Sequence, residues 1–444
     1  MNKYSCEKCQ KKFNKKENYT KHTTKKKSCV IEEIIDNQLS SSNIIEYSSI
    51  SKELTNKLSK TVKKNNGIYF TPPSCINNNI TLLEPYLKKI ITVLEPSCGS
   101  CEYIMALHKL YPHLNITGIE YNETIYQSIL HYNNDKINII NIDYLKYSSD
   151  NMYDLIIGNP PYYVIKKEQV DISYHKYFEG RPNIFILFII KSISLLNDNG
   201  ILSFILPKNF LNCLYYDKTR KYIADNFKIL NIIECDNDKY IETQQDTIIL
   251  IIQKTKSNNN KFIFEINNYI IFMNENNNKQ LKKLYKNSKS LLELGFKVSV
   301  GNVVWNQCKD ILTDDATKTR LIYSSDIENN TLIKKKYSNS DKKNYINKPG
   351  INRPMIVINR GYGVGEYKFN YTIINEINEY LIENHLICIE YKNDLPHDEL
   401  ISLYEKILLS LNDKRTIDFI TIYFGNNAIN TTELNNILPI YQDI

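Results

Sequence analysis

The run Tyr153-Asp154-Leu155-Ile156-Ile157-Gly158 is mostly apolar and stops at Asn159-Pro160-Pro161-Tyr162. A run of this kind, closed by two prolines, is expected to be a buried strand with an abrupt end. Neither proline can donate to a ladder, and each holds φ at about −65°. A rigid loop past the strand aims the Asn159 side chain and the Pro160 carbonyl at one point, with the Tyr162 ring beside them. Such a site can accept two hydrogen bonds from one amino group and stack on the ring that carries it. Taken alone, the tetrapeptide is equally a proline-rich turn after any parallel strand, and the residues upstream decide between the two.

Upstream, Gly67-Ile68-Tyr69-Phe70-Thr71-Pro72-Pro73 leads into a helical pattern through Ile80, Leu82, Leu83 and Leu87. A buried strand, Ile90 to Leu94, then meets the turn Glu95-Pro96-Ser97-Cys98-Gly99-Ser100-Cys101, which opens a helix. A strand, a small-residue loop and a helix form the first unit of a doubly wound fold, where a ligand can approach the backbone. A second strand, Ile116 to Glu120, puts Glu120 at its tip, at the distance from the loop that suits a ribose diol. A third, Ile137 to Ile142, ends in Asp143, and the fourth ends in Asn159. Each acid alone is as well suited to capping a helix. Four polar strand ends together describe a nucleoside-binding cleft with an amino-group clamp beside it, because ligands of open α/β sheets bind along that edge. Downstream, an apolar helix is expected over 183–196, with further strands at 200–206, 229–235 and 247–252.

In motif order this stretch resembles the DNA adenine-N6 methyltransferases of the gamma group, the TaqI type. The resemblance is good over about 66–255 and loose beyond. It implies that Thr71 meets the methionine end of S-adenosylmethionine and that Glu95 meets its amino group. It further implies that Glu120 holds the ribose hydroxyls, that Asp143 takes the adenine amino group and that Pro161 lines the pocket. Ser97, Gly99, Tyr121 and Tyr144 complete the expected cofactor set. Asn159, Pro160 and Tyr162 would be catalytic, and Tyr162 and Tyr240 would stack on the target base. The last two strands are expected to form an antiparallel edge hairpin. The family loop often has glycine where this chain has Cys101. Cys98 and Cys101 have the spacing of a redox or zinc pair, but their place after a buried strand favours the loop.

The first 30 residues are expected to form a separate module. Cys6 and Cys9 are followed by Phe13, Tyr19, His22 and Cys29, close to the ligand spacing of a ββα zinc finger, with Phe13 and Tyr19 as its small core. The fourth ligand departs from the usual pattern, being Cys29 in place of histidine and one residue further along than usual. A finger helix from about Lys15 to Lys26 would turn Lys15, Asn18 and Lys21 toward bases, as in related fingers. Residues 31–65 are polar and read as a linker with one helix at most, 66–255 as the catalytic domain and 256–290 as a connector holding a helix at about 279–292. Residues 291–444 read as a mixed α/β target-recognition domain, with Arg353 and Arg360 as candidate DNA contacts. The fold expected is thus a doubly wound, Rossmann-like methyltransferase core between a small zinc finger and a recognition domain.

Composition adds limits. The net charge of +7 permits a polyanionic partner without demanding one. No apolar stretch is long enough to span a membrane, and the N-terminus has no apolar signal core, so an intracellular protein is expected. Ten cysteines over 444 residues fit reduced thiols and a metal site. Duplex DNA is the expected partner, a cognate restriction endonuclease a candidate one, and a monomer the expected state. The cofactors expected are S-adenosylmethionine and a structural zinc ion. The rival readings are a protein-glutamine N5 methyltransferase, which uses the same clamp on a side-chain amide, a cytosine-N4 enzyme, whose clamp more often begins with Ser, and a DNA-binding module with an inactive core.

Overall fold

The four polar strand ends do fall on one edge of one sheet. The computed structural model describes residues 4–5, 12–13, 20, 46–235, 240–241, 245–256, 261–359, 370–424 and 429–444. The strands of interest are β1 (Thr92–Glu95), β2 (Asn115–Glu120), β3 (Ile137–Asn141), β4 (Tyr153–Gly158), β5 (Leu196–Pro207), β6 (Lys228–Glu234) and β7 (Thr247–Gln253). They form one sheet in the order β3-β2-β1-β4-β5-β7-β6. The first five are parallel, and β7 runs antiparallel to both β5 and β6. The chain winds outward from β1 to β3, then returns to lay β4 on the other side of β1. The crevice beyond the carboxyl ends of β1 and β4 is therefore the switch point where such sheets take ligands.

The expected antiparallel edge hairpin is present. Its second strand, β7, is inserted between β5 and β6, and β6 is the edge. The reason lies in side-chain pattern. Thr247 to Ile252 is buried on both faces, as an interior strand must be, whereas β6 buries only Ile229 and Ile232 and leaves Asn231 and Glu234 partly exposed.

Helices cover both faces. Among them are α1 (Ser49–Lys57), α2 (Lys60–Asn66), α3 (Pro73–Leu87), α4 (Glu102–Leu110), α5 (Glu123–Ile129), α6 (Ile184–Ser194) and α7 (Asp217–Asn226). Apart from Lys191 and Ser194, every residue of α6 is buried, and its Phe185 and Ile189 join Phe204 and Leu206 of β5 in the main core. The expected linker holds α1 and α2, docked rather than free. The buried Ser51 hydroxyl bonds the Ser100 hydroxyl at 2.7 Å and the Glu102 carboxylate, while the Ser48 N–H donates to Glu102 at 3.0 Å.

The expected connector is likewise structural. A hairpin, β8 (Ile263–Ile266) and β9 (Tyr269–Phe272), precedes α8 (Glu275–Leu284). Successive residues of β9 serve different cores: Phe272 packs with the catalytic sheet, Ile271 with the C-terminal core. The helix starts at an Asn274 cap, whose side chain accepts from the Asn277 N–H at 2.8 Å, and ends well before the expected Leu292. Beyond it, β10 (Phe296–Val300), β11 (Met355–Asn359), β12 (Tyr371–Ile374) and β13 (Leu386–Tyr391) form an antiparallel sheet ordered β10-β13-β11-β12. Helices α9 (His397–Asn412) and α10 (Lys414–Tyr423) share its core.

Residues Met1–Ile45 form a unit of their own. Its described part includes a two-stranded antiparallel pair, Tyr4–Ser5 with Lys12–Phe13. The proposed ligands Cys6, Cys9, His22 and Cys29, and the helix residues Lys15, Asn18 and Lys21, lie outside the described residues.

Candidate active site

A cleft of about 640 Å³ opens at the switch point. Its lining takes Ser97 and Gly99 from the loop after β1, Glu120 and Tyr121 from the end of β2, Asp143 and Tyr144 from the end of β3, and Asn159 and Pro161 from the end of β4. Eight of the residues singled out in the sequence are thus brought together.

The loop after β1 takes its shape from two left-handed residues. Gly99 has φ +50° and lies against the Phe70 ring, where a Cβ would sit 3.7 Å from it. Cys101, with φ +63°, caps α4. This accounts for glycine at the corresponding place in related loops: an L side chain is strained there, and the chain tolerates it by burying the thiol completely. The loop amides then face Glu120. The Gly99 N–H donates to Glu120 Oε2 at 2.9 Å and the Asn122 N–H to Oε1 at 2.7 Å. Burial outweighs these bonds and raises the Glu120 carboxyl from 4.5 to about 7. Glu95, only 3% exposed, is pushed further in the same direction, first by burial and then by the nearby Cys101, Glu120 and Glu102. Its Oε2 is buried with no hydrogen-bond partner. Glu95 itself does not line the cleft, but it directly precedes Pro96 and Ser97, which do, and an unpartnered carboxyl oxygen there can accept from a cationic or N–H donor.

The other half of the site is tied together. Gly158, at φ +153°, ends β4 where an added Cβ would sit 3.4 Å from Glu95 Cγ. The Asn159 carbonyl accepts from the Ser97 hydroxyl at 3.1 Å. The Asn159 carboxamide donates from Nδ2 to Thr71 Oγ1 at 3.2 Å and, at the limit of 3.5 Å, to the Tyr69 carbonyl. Its Oδ1 lies 2.6 Å from the Tyr162 hydroxyl, which also reaches the Ile205 carbonyl at 2.8 Å. Tyr162 meets Phe185 edge-on at 6.0 Å. Burial, followed by the neighbouring Tyr240, drives its phenol well up from the usual value. Gly67, at φ +62°, lies so close that an added Cβ would sit 2.7 Å from the Tyr162 amide nitrogen.

These residues match a family model, the Eco57I restriction-modification methylase, over residues 5–241. The match covers more than half of the chain. The chain belongs to the Eco57I restriction-modification methylase family. It is similar along nearly its whole length to the type II methyltransferase M.CvrRI of Paramecium bursaria Chlorella virus XZ-6E, 28% identical over 88% of this chain and 98% of that protein. The modification methylase CviBIII of Paramecium bursaria Chlorella virus NC1A is 25% identical over 90% of this chain and 100% of its own length. The type II methyltransferase M.AccI of Acinetobacter calcoaceticus is 30% identical over 35% of this chain and 30% of that protein. Membership of the family makes the chain a methyltransferase of restriction-modification type, dependent on S-adenosylmethionine and acting on DNA.

Within this Eco57I-type methylase the remaining expected residues fall variously. Asp143 accepts from the Leu145 N–H at 3.0 Å, so it caps a short 3-10 turn while also lining the cleft. Tyr144 sends its ring into the core, with its hydroxyl 2.8 Å from that of Ser192 and its ring 4.8 Å from Phe188. Thr71 is nearly buried and bonds Asn159. Tyr240 is buried beside Tyr69, Phe70 and Thr55 in a second, much smaller hollow. Arg353 uses Nη2 to bond the carbonyls of Tyr391 at 2.8 Å and Asn393 at 2.9 Å, the bonding of a structural arginine. Arg360 lies outside the described residues. Among the described residues there is no group of three or more His, Cys, Asp or Glu suited to a metal ion, and no helix is long and apolar enough to cross a membrane.

Sequence reasoning missed the wall formed by Tyr163, Ile165, Lys166 and Gln169, which follows the clamp and closes the cleft together with Phe188. No motif marks those residues. Gly67 carried a signal, as a lone glycine ahead of the Thr-Pro-Pro segment.

Proposed function

We propose that the chain transfers a methyl group to the exocyclic N6 of an adenine flipped out of duplex DNA, in the manner of the gamma-group, TaqI-type enzymes. The observation that carries this reading is the Asn159 carboxamide, held at the switch point by Thr71 and Tyr162 with a lone pair left on its oxygen, in the wall of a cleft that the under-solvated Glu120 also lines.

The residues suit S-adenosylmethionine. Glu120 meets two loop amides and retains lone pairs for ribose hydroxyls, while the orphaned Glu95 oxygen suits the ammonium of a methionine moiety. Bound there, the cofactor supplies an electrophilic methyl on a sulfonium. The chain's own part is orientation. The adenine amine is a weak nucleophile because its lone pair is delocalised into the ring. Asn159 and the Pro160 carbonyl, by accepting its two N–H bonds, draw the nitrogen toward tetrahedral geometry and localise that pair. The rate gain comes from positioning and preorganised dipoles, with no covalent enzyme intermediate. A base within a duplex cannot reach this cleft, so it must leave the stack. Tyr162 and Tyr240, the second near enough to raise the first's phenol, are the aromatics to receive it.

The N-terminal cysteines and histidine offer three thiolates and an imidazole, a donor set that zinc accepts. We assign them to a structural zinc finger that adds backbone grip on DNA through its lysines.

Radiolabelled S-adenosylmethionine and unmethylated duplex DNA, with products separated as nucleosides, test the main reading. The expected label is in N6-methyladenine and is lost in Asn159→Ala. Label in N4-methylcytosine, or only in added protein, contradicts it.

A further inference from the structure

The Asn159 amide has two faces that are nearly equal in shape and opposite in chemistry. Only Oδ1 can accept from an amino group; Nδ2 in its place would set one donor against another. A rotation of 180° about the last side-chain bond exchanges them, so a clamp of this type needs something that distinguishes oxygen from nitrogen. The structure supplies it in the segment just before α3. Nδ2 points at Thr71 Oγ1, 3.2 Å away, with the Tyr69 carbonyl at 3.5 Å behind it. A carbonyl can only accept, so the flipped amide would place Oδ1 against a second acceptor. On the opposite side the Tyr162 hydroxyl lies 2.6 Å from Oδ1 and also has the Ile205 carbonyl within reach. Oδ1 has a second lone pair, and the target amine needs only one.

We propose that Thr71 is a positioning residue for methyl transfer: its hydroxyl, with the Tyr69 carbonyl, holds the Asn159 amide with its oxygen toward the target amine. Resemblance alone gave Thr71 a place on the cofactor. Its side chain is buried, and its hydroxyl bonds Asn159. The segment Gly67–Pro73 thereby orients the clamp from outside the sheet. Gly67 seats it against the Tyr162 amide, the Tyr69 carbonyl sets the amide's sense, and the Thr71 hydroxyl anchors Nδ2.

This inference rests on the amine-clamp reading above, and its test separates the two. Thr71→Val keeps the shape and removes the hydroxyl; Thr71→Ser keeps the hydroxyl and removes a methyl. The measurements are the single-turnover rate on unmethylated plasmid DNA at saturating S-adenosylmethionine, and the cofactor Kd by calorimetry. Thr71→Val is expected to slow transfer about ten- to a hundredfold, the scale of a misoriented reacting group, with the cofactor Kd within twofold of wild type. Thr71→Ser is expected to restore most of the rate. A rate unchanged in Thr71→Val, or a loss that appears wholly in the cofactor Kd, overturns the positioning role and leaves the clamp reading standing. Failure of Thr71→Ser to restore the rate assigns the loss to packing and also overturns it. A wild-type chain that methylates no DNA overturns both.

Discussion

The two halves of the cleft are prepared in opposite ways. On the cofactor side, Glu95 and Glu120 are carboxylates held in low dielectric with less compensation than ionised groups require; one has an orphaned oxygen, the other titrates near neutrality. On the amine side the clamp itself is satisfied. The Asn159 carbonyl, Nδ2 and Oδ1 each have a partner, and Gly67 and Ser97 brace the loop. The cofactor side is poised by electrostatic strain that binding would relieve. The amine side is poised by geometry, so that little reorganises when the base arrives. This division suits the chemistry, since a charged cofactor can be drawn in by an unsatisfied acid, whereas a neutral amine must be met by an acceptor already in place.

The largest effect expected is on the amine side. Asn159→Ala should reduce single-turnover transfer by about 10²- to 10³-fold, the scale for removing one preorganised polar contact to a reacting group, with cofactor affinity unchanged by calorimetry. Next comes Glu120→Gln. Its amide nitrogen would face one of two donors, the Gly99 and Asn122 N–H groups, so cofactor affinity should fall by about 30-fold, corresponding to about 2 kcal/mol, while the rate at saturation holds. If either substitution moved both quantities together, the comparison would lose its basis.

A smaller effect is expected from pH. Free Glu120 is raised from 4.5 to about 7. Because ribose hydroxyls donate to the ionised form, cofactor affinity should climb with pH through that value. The Glu120 part of the gain should be about tenfold between pH 6 and pH 8 and should be missing in Glu120→Gln, which leaves only the rise due to Glu95. For the unliganded protein the sign is opposite. A carboxyl whose folded pKa is raised holds a proton that the unfolded chain has released, so this group lowers stability as pH rises from about 4.5 through 7. Smallest of all, Gly67→Ala puts a side chain at positive φ against the Tyr162 amide. About 1–3 kcal/mol of stability should go, measured by urea unfolding, with transfer slowed a few-fold and cofactor affinity held.

The strand ends were legible because each obeys a local rule. Apolar runs stop at a proline or an acid, and a parallel sheet necessarily aligns those stops on one edge, which places Glu95, Glu120, Asp143 and Asn159 together. Much of the rest depends on contacts that have no period. Helix α1 sits in a Ser/Asn/Lys-rich stretch, and part of what docks it is the Ser51 hydroxyl on Ser100 and Glu102, a polar bond that hydrophobic spacing cannot reveal. Tyr144 adjoins an acid at the cleft wall, yet its ring is claimed by the core through Ser192 and Phe188. The Asn159–Thr71 bond spans 88 positions, and no local pattern carries it. The inserted place of β7 is different, for its unbroken Thr247 to Ile252 run carried the information. An interior strand needs apolar residues on both faces, and an edge strand such as β6 does not.

The division between the two halves is tested most directly by one paired measurement: single-turnover methylation of unmethylated plasmid DNA, with cofactor Kd determined on the same samples, in wild type, Asn159→Ala and Glu120→Gln. Transfer lost in the first variant at wild-type cofactor affinity, and affinity lost in the second at a near wild-type saturated rate, is the predicted result. Asn159→Ala binding cofactor poorly, or transferring methyl to adenine at the wild-type rate, would contradict it.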